Sequence, residues 1–171
     1  MREVDLNTIE QLWYVVYTKP KHEKTVEKNL SEQSFETFLP LIKKHKKWSD
    51  RKKWVTFPLF KSYVFVHSIS SKIQEVLATK GIVKLVKFNK SPAIIKENEI
   101  NNIKIMLNGN YDLQNTDYFQ KGNKAQVIEG PLKGLKGEVY RIENNDRLLI
   151  RVDAIQHSIS IQIERSYLKL L

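Results

Sequence analysis

The sequence predicts an α+β fold: an N-terminal antiparallel sheet flanked by helices, followed by a small C-terminal β-barrel. Three observations carry this. Over the first part of the chain, β-forming runs alternate with segments of helical spacing, an order that suits an antiparallel sheet with helices laid against it. A polar stretch without periodicity, 108–117, then interrupts the pattern. The remainder holds short apolar strands punctuated by Gly and Asn turns, as in a small barrel. The expected organisation is therefore a domain over 1–107, a linker over 108–118 and a second domain over 119–171.

Trp13 to Thr18, WYVVYT, is rich in β formers and predicts the first strand. In the following KPKHEKTVEKNLSEQ, Pro20 suits a first helical turn, and Val26 and Leu30, one turn apart, form the buried stripe. Lys21, Lys24 and Lys28 are spaced to share another face, and Glu23 and Glu27 temper the charge from a flank. Phe35 to Ile42 predicts a strand bent or ended at Pro40. Lys43 to Lys53 packs seven Lys/Arg and one Asp into eleven positions, which predicts an exposed loop or hairpin tip flanked by Trp48 and Trp54. Beyond Pro58 a strand should start near Leu59 or Phe60 and run through Val66. It would place Phe60, Val64 and Val66 on one face and Tyr63 and Phe65 on the other. Those two rings are either covered core or a surface that docks onto a partner.

Ser71 to Lys80 has helical spacing through Ile73, Val76 and Leu77, with Gly81 as its cap. Ile82 to Phe88 predicts another strand. Glu97 to Leu107 predicts a third helix with Ile100, Ile103 and Leu107 on its stripe. Beyond the linker, strands are expected at Val127–Ile128, Glu138–Ile142, Leu148–Val152, Ser158–Ile163 and Leu168–Leu171.

Composition narrows the function. The chain has 171 residues, no cysteine and a net charge of +10. Residues 1–107 carry 20 Lys/Arg against 11 Asp/Glu, and residues 108–171 carry 9 against 8. The excess lies in the first domain, which points to a polyanionic partner for that domain alone. The absence of cysteine excludes disulfides and thiolate metal sites. No signal peptide or membrane span is expected, so the sequence predicts a cytoplasmic, soluble monomer without membrane contact. The four histidines, His22, His45, His67 and His157, stand singly, and there is no Gly-rich phosphate loop or nucleophile elbow. The reading is accordingly no enzyme, no cofactor and no metal.

Val127 to Val139, VIEGPLKGLKGEV, resembles a KOW motif, the start of a small SH3-like barrel whose glycines allow left-handed turns and close strand approach. It follows WYVV at 13–16 and the Phe60–Val66 run. Together they resemble the NusG family of transcription elongation factors over about residues 12–171. The segments TKPKHEK, WSDRKKWVTFPLF and DAIQHSISIQI are similar to its specialised paralogues, the capsular-polysaccharide antiterminators of the UpxY group and, more remotely, RfaH.

The resemblance implies an NGN-type first domain that binds the β′ clamp helices of RNA polymerase through an apolar patch, which maps onto Val15, Tyr17, Tyr63 and Phe65. It implies a basic face for the non-template DNA strand at Lys19, His22, the first helix and Thr79-Lys80-Gly81. With the lysine row, that face comprises Lys19, Lys21, His22, Lys24, Lys28, Thr79 and Lys80. It also implies that the barrel takes a small-subunit ribosomal protein or the termination factor Rho at Ala154-Ile155-Gln156. The implied function is transcription antitermination or elongation, suppressing pausing or termination at particular operons such as surface polysaccharide loci. Two other readings stand beside it: a housekeeping elongation factor coupling polymerase to Rho or the ribosome, and a ribosomal RNA-binding protein that uses a KOW barrel. The third predicts a basic barrel, and the near-neutral second half argues against it.

Overall fold

The computed structural model describes residues 10–47, 52–88, 90–108, 114–116, 122–142 and 145–171. Trp48, the tip of the basic segment and most of the expected linker lie outside the described residues. The chain divides into two compact units. One holds the chain up to Leu39 together with Ser62–Ile94; the other holds Pro40–Lys61 together with Ile95–Leu171.

The first unit is built on strand β1 (Leu12–Thr18), followed by helix α1 (Glu23–Glu32) and the short strand β2 (Glu36–Phe38). In the second unit β3 (Leu41–Lys47) and β4 (Lys52–Pro58) pair as a separate two-stranded ribbon. The first unit resumes with β5 (Tyr63–Ser68), a 3-10 turn leading into α2 (Ile73–Leu77), β6 (Ile82–Leu85), β7 (Lys87–Phe88) and β8 (Ser91–Pro92). The sheet order is β2-β5-β1-β6, and β9 (Ile94–Ile95) also pairs with β1. β1 runs antiparallel to β5, with Val15 opposite Phe65 and Tyr17 opposite Tyr63. Val26 and Leu30 on α1 and Val76 on α2 are fully buried, as the helical spacing predicts.

Several boundaries differ from the sequence reading, each for a physical reason. Leu59 to Ser62 form a turn, not the start of a strand. Ser62 takes a left-handed φ of 65°, and β5 begins only at Tyr63. Phe60 therefore does not share a strand face with Val64 and Val66. Pro20 and Lys21 likewise precede α1 rather than open it. Lys21 is left-handed at φ 63°, and the His22 N–H donates to the Lys19 carbonyl at 3.1 Å, closing a turn. The run after Phe35 splits at Leu39-Pro40 into β2 and β3, which join different sheets.

The second unit continues with α3 (Glu97–Leu107), whose N-terminus is closed by the Glu99 carboxylate accepting the Lys96 N–H at 2.9 Å. Its buried stripe is Ile100, Ile103 and Met106, and Leu107, expected on the stripe, is only half-buried. The remaining strands are β10 (Gln114–Thr116), β11 (Asn123–Val127), β12 (Lys136–Ile142), β13 (Asn145–Val152), β14 (His157–Gln162) and β15 (Leu168–Leu170). They form one antiparallel sheet in the order β10-β14-β13-β12-β11-β15. Within the expected linker, Gln114 to Thr116 pair with Ser158 to Ser160 of β14. Polar side chains concealed that strand, because its ladder is made by backbone groups.

The glycines of the VIEGPLKGLKG segment have distinct tasks. Gly130 and Gly134 are left-handed at φ 78° and 91°. At Gly137 any Cβ would collide with the Leu149 carbonyl oxygen of the neighbouring strand.

Across β12 and β13, Arg151 clasps Glu138 bidentately at 3.0 and 2.9 Å, and the Gly122 N–H donates to the same carboxylate at 3.3 Å. These hydrogen bonds, those from Arg151 first, hold the Glu138 carboxyl below the usual Glu range against the opposing effect of burial. A lowered folded pKa means that the unfolded chain binds the proton more readily. The stability from this pair is thus present at neutral pH and is lost as pH falls through the lowered pKa. We expect Arg151→Met to melt earlier than wild type at pH 7, with the gap closing in acid below pH ~4, as read by thermal melts across pH. A gap independent of pH would remove Glu138 from this role.

Candidate polymerase and nucleic-acid surfaces

β1 and β5 place four of the predicted residues on one sheet face. Val15 and Phe65 are a cross-strand pair, as are Tyr17 and Tyr63, whose rings meet edge to face at 5.5 Å between centroids and 75°. Trp13 and His67 continue this face, stacked at 4.8 Å, and Phe38 from β2 lies opposite Phe65 with ring centroids 6.0 Å apart. The Lys84 ammonium lies over the Tyr17 ring, 5.8 Å from its centroid.

The face is not uniformly open. Val15 and Phe65 are both 0% exposed, whereas Tyr17 and Tyr63 are half-buried. Phe65 as a protruding docking ring is therefore corrected to a packed core position. Its hydrocarbon is fully removed from water and stacked on Phe38, so it offers a partner no surface. Tyr17 and Tyr63 form the accessible edge. Desolvation, and next the Tyr17 phenol beside it, raise the Tyr63 pKa above the ordinary tyrosine value. Phe38 and Lys84 join the site from strands whose register the sequence did not reveal. The only hint was that each sits in a short β-forming run.

The basic residues converge from two places far apart in sequence. The Lys19 N–H donates to the Gly81 carbonyl at 2.9 Å, which ties the Lys19–His22 turn to Thr79-Lys80-Gly81. Gly81 takes φ 104°, and a Cβ there would lie 2.8 Å from Val26 Cγ2, so the two segments approach too closely for any side chain. Thr79 is buried, and its hydroxyl accepts a hydrogen bond from Gln33 Nε2 at 3.2 Å. It therefore acts as a support, not as an exposed contact. Lys19, Lys21, His22, Lys24, Lys28 and Lys80 are all exposed. Lys24 and Lys28 lie on α1, while Lys21 belongs to the turn before it, which corrects the expected three-lysine helical row. Lys28 pairs with Glu32 at 3.7 Å, an exposed i,i+4 pair of small energetic weight. Burial raises the Glu27 carboxyl pKa, against the lowering pull of Lys24.

Glu23 is the residue that sequence reasoning misplaced. It is 5% exposed, and its carboxylate accepts the Ser62 N–H at 2.8 Å. The Ser62 carbonyl accepts the Thr18 N–H at 2.9 Å. The first turn of α1, the end of β1 and the entry to β5 are thereby locked together.

In the second unit, Asp153–Ile155 form a 3-10 turn, not a contact strand, and Gln156 follows at φ 51°. Ile155 is buried, Ala154 half-buried and Gln156 exposed. The His157 ring packs edge-on against Phe60 at 5.8 Å and shares a 2.7 Å hydrogen bond with the Ile155 carbonyl. Among the described residues no group of three or more His, Asp or Glu is placed to hold a metal ion, and no helix is long and apolar enough to cross a membrane.

Fold and site together describe a mixed α+β protein whose first sheet presents an aromatic edge beside a lysine-rich turn. A family model described as "Transcription termination factor nusG" matches residues 11–104, more than half of the chain, and the chain belongs to this family of transcription factors. The structure is similar to that of Thermotoga maritima NusG, a structure described by its domain interaction, with a TM-score of 0.57 and 18% identity over 94% of this chain and 97% of that one. A chain of the MjSpt4:Spt5 complex, conformation A, aligns with a TM-score of 0.33 and 14% identity over 94% of this chain and 98% of that one.

The burial separates two kinds of residue on one face. Phe65→Ala should lower unfolding stability by ~3–5 kcal/mol. Tyr63→Ala should cost distinctly less, since its ring is only partly removed from water. Equilibrium denaturation of the two variants checks this, and equal losses would contradict the assignment of Phe65 alone to the core. Glu23→Ala should cost ~1–3 kcal/mol by leaving the buried Ser62 N–H without its acceptor.

Proposed function

We propose that this protein is a specialised transcription antiterminator and elongation factor. It rides on RNA polymerase, holds the β′ clamp helices through the Tyr17–Tyr63 edge of its first sheet, and contacts non-template DNA through Lys19, Lys21, His22, Lys24, Lys28 and Lys80. In this reading residues 1–107 serve as the NGN-type domain and 119–171 as the KOW domain, with the Ala154-Ile155-Gln156 turn as the docking point for a ribosomal protein or Rho, Gln156 offering the exposed contact over the buried Ile155. The factor suppresses pausing or termination at particular operons, such as surface polysaccharide loci.

The observation that carries the reading is the Lys19–Gly81 backbone bond. It gathers cations from two segments some sixty residues apart beside an uncharged aromatic edge. A factor that travels with polymerase needs both: an apolar grip for affinity and a positive face for a mobile polyanion. Membership of the NusG family supports the same roles.

Polymerase pull-down with Tyr17→Ala and Tyr63→Ala should show binding weakened by ~2 kcal/mol or more, with melting temperatures near wild type. Lys24→Glu/Lys28→Glu should bind polymerase normally but fail to protect non-template DNA, and the salt slope should fall by about one unit for each phosphate left unneutralised. Wild-type DNA protection by the charge-reversed variant would place the nucleic-acid face elsewhere. Genome-wide occupancy confined to one or a few operons is the expected pattern. Occupancy of all transcribed genes would favour the housekeeping role instead.

A further inference from the structure

The ribbon β3–β4 is absorbed by none of the roles above. It carries the densest charge in the chain: over 41–58 there are seven Lys/Arg and one Asp, six of the ten net positive charges. The two strands form a sheet of their own, with no third strand beside them among the described residues. The base is anchored, since Leu39, Pro40, Leu59 and Phe60 are buried and the Leu59 N–H donates to the Pro40 carbonyl at 2.8 Å. Further out, Lys43 and Lys44 are exposed, and Trp54 is 60% exposed.

The register explains why this is more than a solubilising arm. Cross-strand partners share a face, so Lys43 lies on one side with Thr56 and Trp54, while Lys44 with Val55 lies on the other. Both faces thus carry cations. Such a ribbon cannot lay either face on an apolar core without desolvating ammonium groups. Lys43 is the diagonal neighbour of Trp54, a separation of ~7–8 Å that brings a phosphate-binding group within reach of a base stacked on the indole. An acidic protein would use the lysines but has no use for an exposed indole among them. A duplex would use the charge but keeps its bases stacked away. Exposed cations beside an indole that is 60% exposed match an unpaired strand, with phosphates on the lysines and a base on the ring.

We propose that the β3–β4 ribbon is a second nucleic-acid site, built from residues other than those of the Lys19–Lys80 face, that takes single-stranded DNA or RNA by stacking a base on Trp54 and pairing phosphates with Lys43 and Lys44. The inference does not depend on the role assigned to the α1 face.

The test uses the full-length chain and fluorescence anisotropy with labelled oligo-dT, oligo-U and a DNA duplex, each of about 12 nucleotides or base pairs. Trp54→Ala should weaken single-strand binding about 5- to 150-fold. Lys43→Glu/Lys44→Glu should lower the salt slope by about 0.7 for each phosphate that is no longer paired. Stronger binding of oligo-dT or of oligo-U identifies DNA or RNA as the source of the strand. Thermal melts of both variants should match wild type, because the substituted side chains are exposed. Because the two sites share no residue, Lys24→Glu/Lys28→Glu should leave the Trp54-dependent part of binding in place. The proposal is overturned if both ribbon variants bind single strands like wild type. It is equally overturned if the duplex binds as well as the single strands and Trp54→Ala has no effect.

Discussion

The pairing of β1 with β5 is the constraint on which the first unit depends. The two strands are separated by more than forty residues, yet they lie side by side at the centre of the sheet with Val15 facing Phe65. A slip of one residue would exchange the faces, sending Val64 and Val66 to the aromatic side and Phe65 to the helix side. That register is fixed at one end by backbone and carboxylate together. The Ser62 carbonyl takes the Thr18 N–H while its own N–H goes to Glu23. The same three-way lock sets where α1 begins, and so where Lys24 and Lys28 project. Position of the aromatic edge and position of the basic turn are thus consequences of one register.

This arrangement explains a buried carboxylate in a strongly cationic region. Glu23 lies in the first turn of α1, where the exposed amide groups favour negative charge. It is held there by the Ser62 amide, not by a neighbouring lysine. Lys24 and Lys28 stay exposed, and the surface stays positive although an acidic residue sits beneath it. Gly81 plays the matching part on the other side. Its left-handed φ and the lack of room for a Cβ let the Thr79–Gly81 segment reach the carbonyl distance that Lys19 requires.

Much of this was legible in the chain. Hydrophobic spacing placed α1, α3, β1 and most of the C-terminal strands, because burial of a stripe is what selects those elements. Glycine positions marked Gly130, Gly134 and Gly137 for the same reason that they are required. Three things were not legible. Backbone ladders do not show in side-chain pattern, which hid β10. Left-handed turns at Lys21 and Ser62 use residues that give no conformational signal, so the side-chain pattern does not mark where α1 and β5 start. Most important, alternation along a strand assigns residues to faces but does not say what covers each face. Tyr63 and Phe65 alternate identically, yet one is half-buried and the other sealed. That difference comes from neighbours such as Phe38, which reach the face through a strand of only three residues.

The division within the aromatic face has an energetic logic. A ring that is already buried contributes its hydrophobic stabilisation to folding, and it cannot contribute it again to association. Phe65 and Val15 supply a rigid floor. Tyr17 and Tyr63, locked edge to face above it, keep apolar area still in water and lose little side-chain entropy on docking, because their rotamers are already held. The Lys84 ammonium over Tyr17 adds a positive charge at the rim of an otherwise uncharged patch. A partner that matched the tyrosines with apolar groups and placed a carboxylate near Lys84 would meet both requirements. One that covered the patch with basic groups would bury that ammonium against like charge. Affinity would then reside in the rings, and discrimination between partners in the rim.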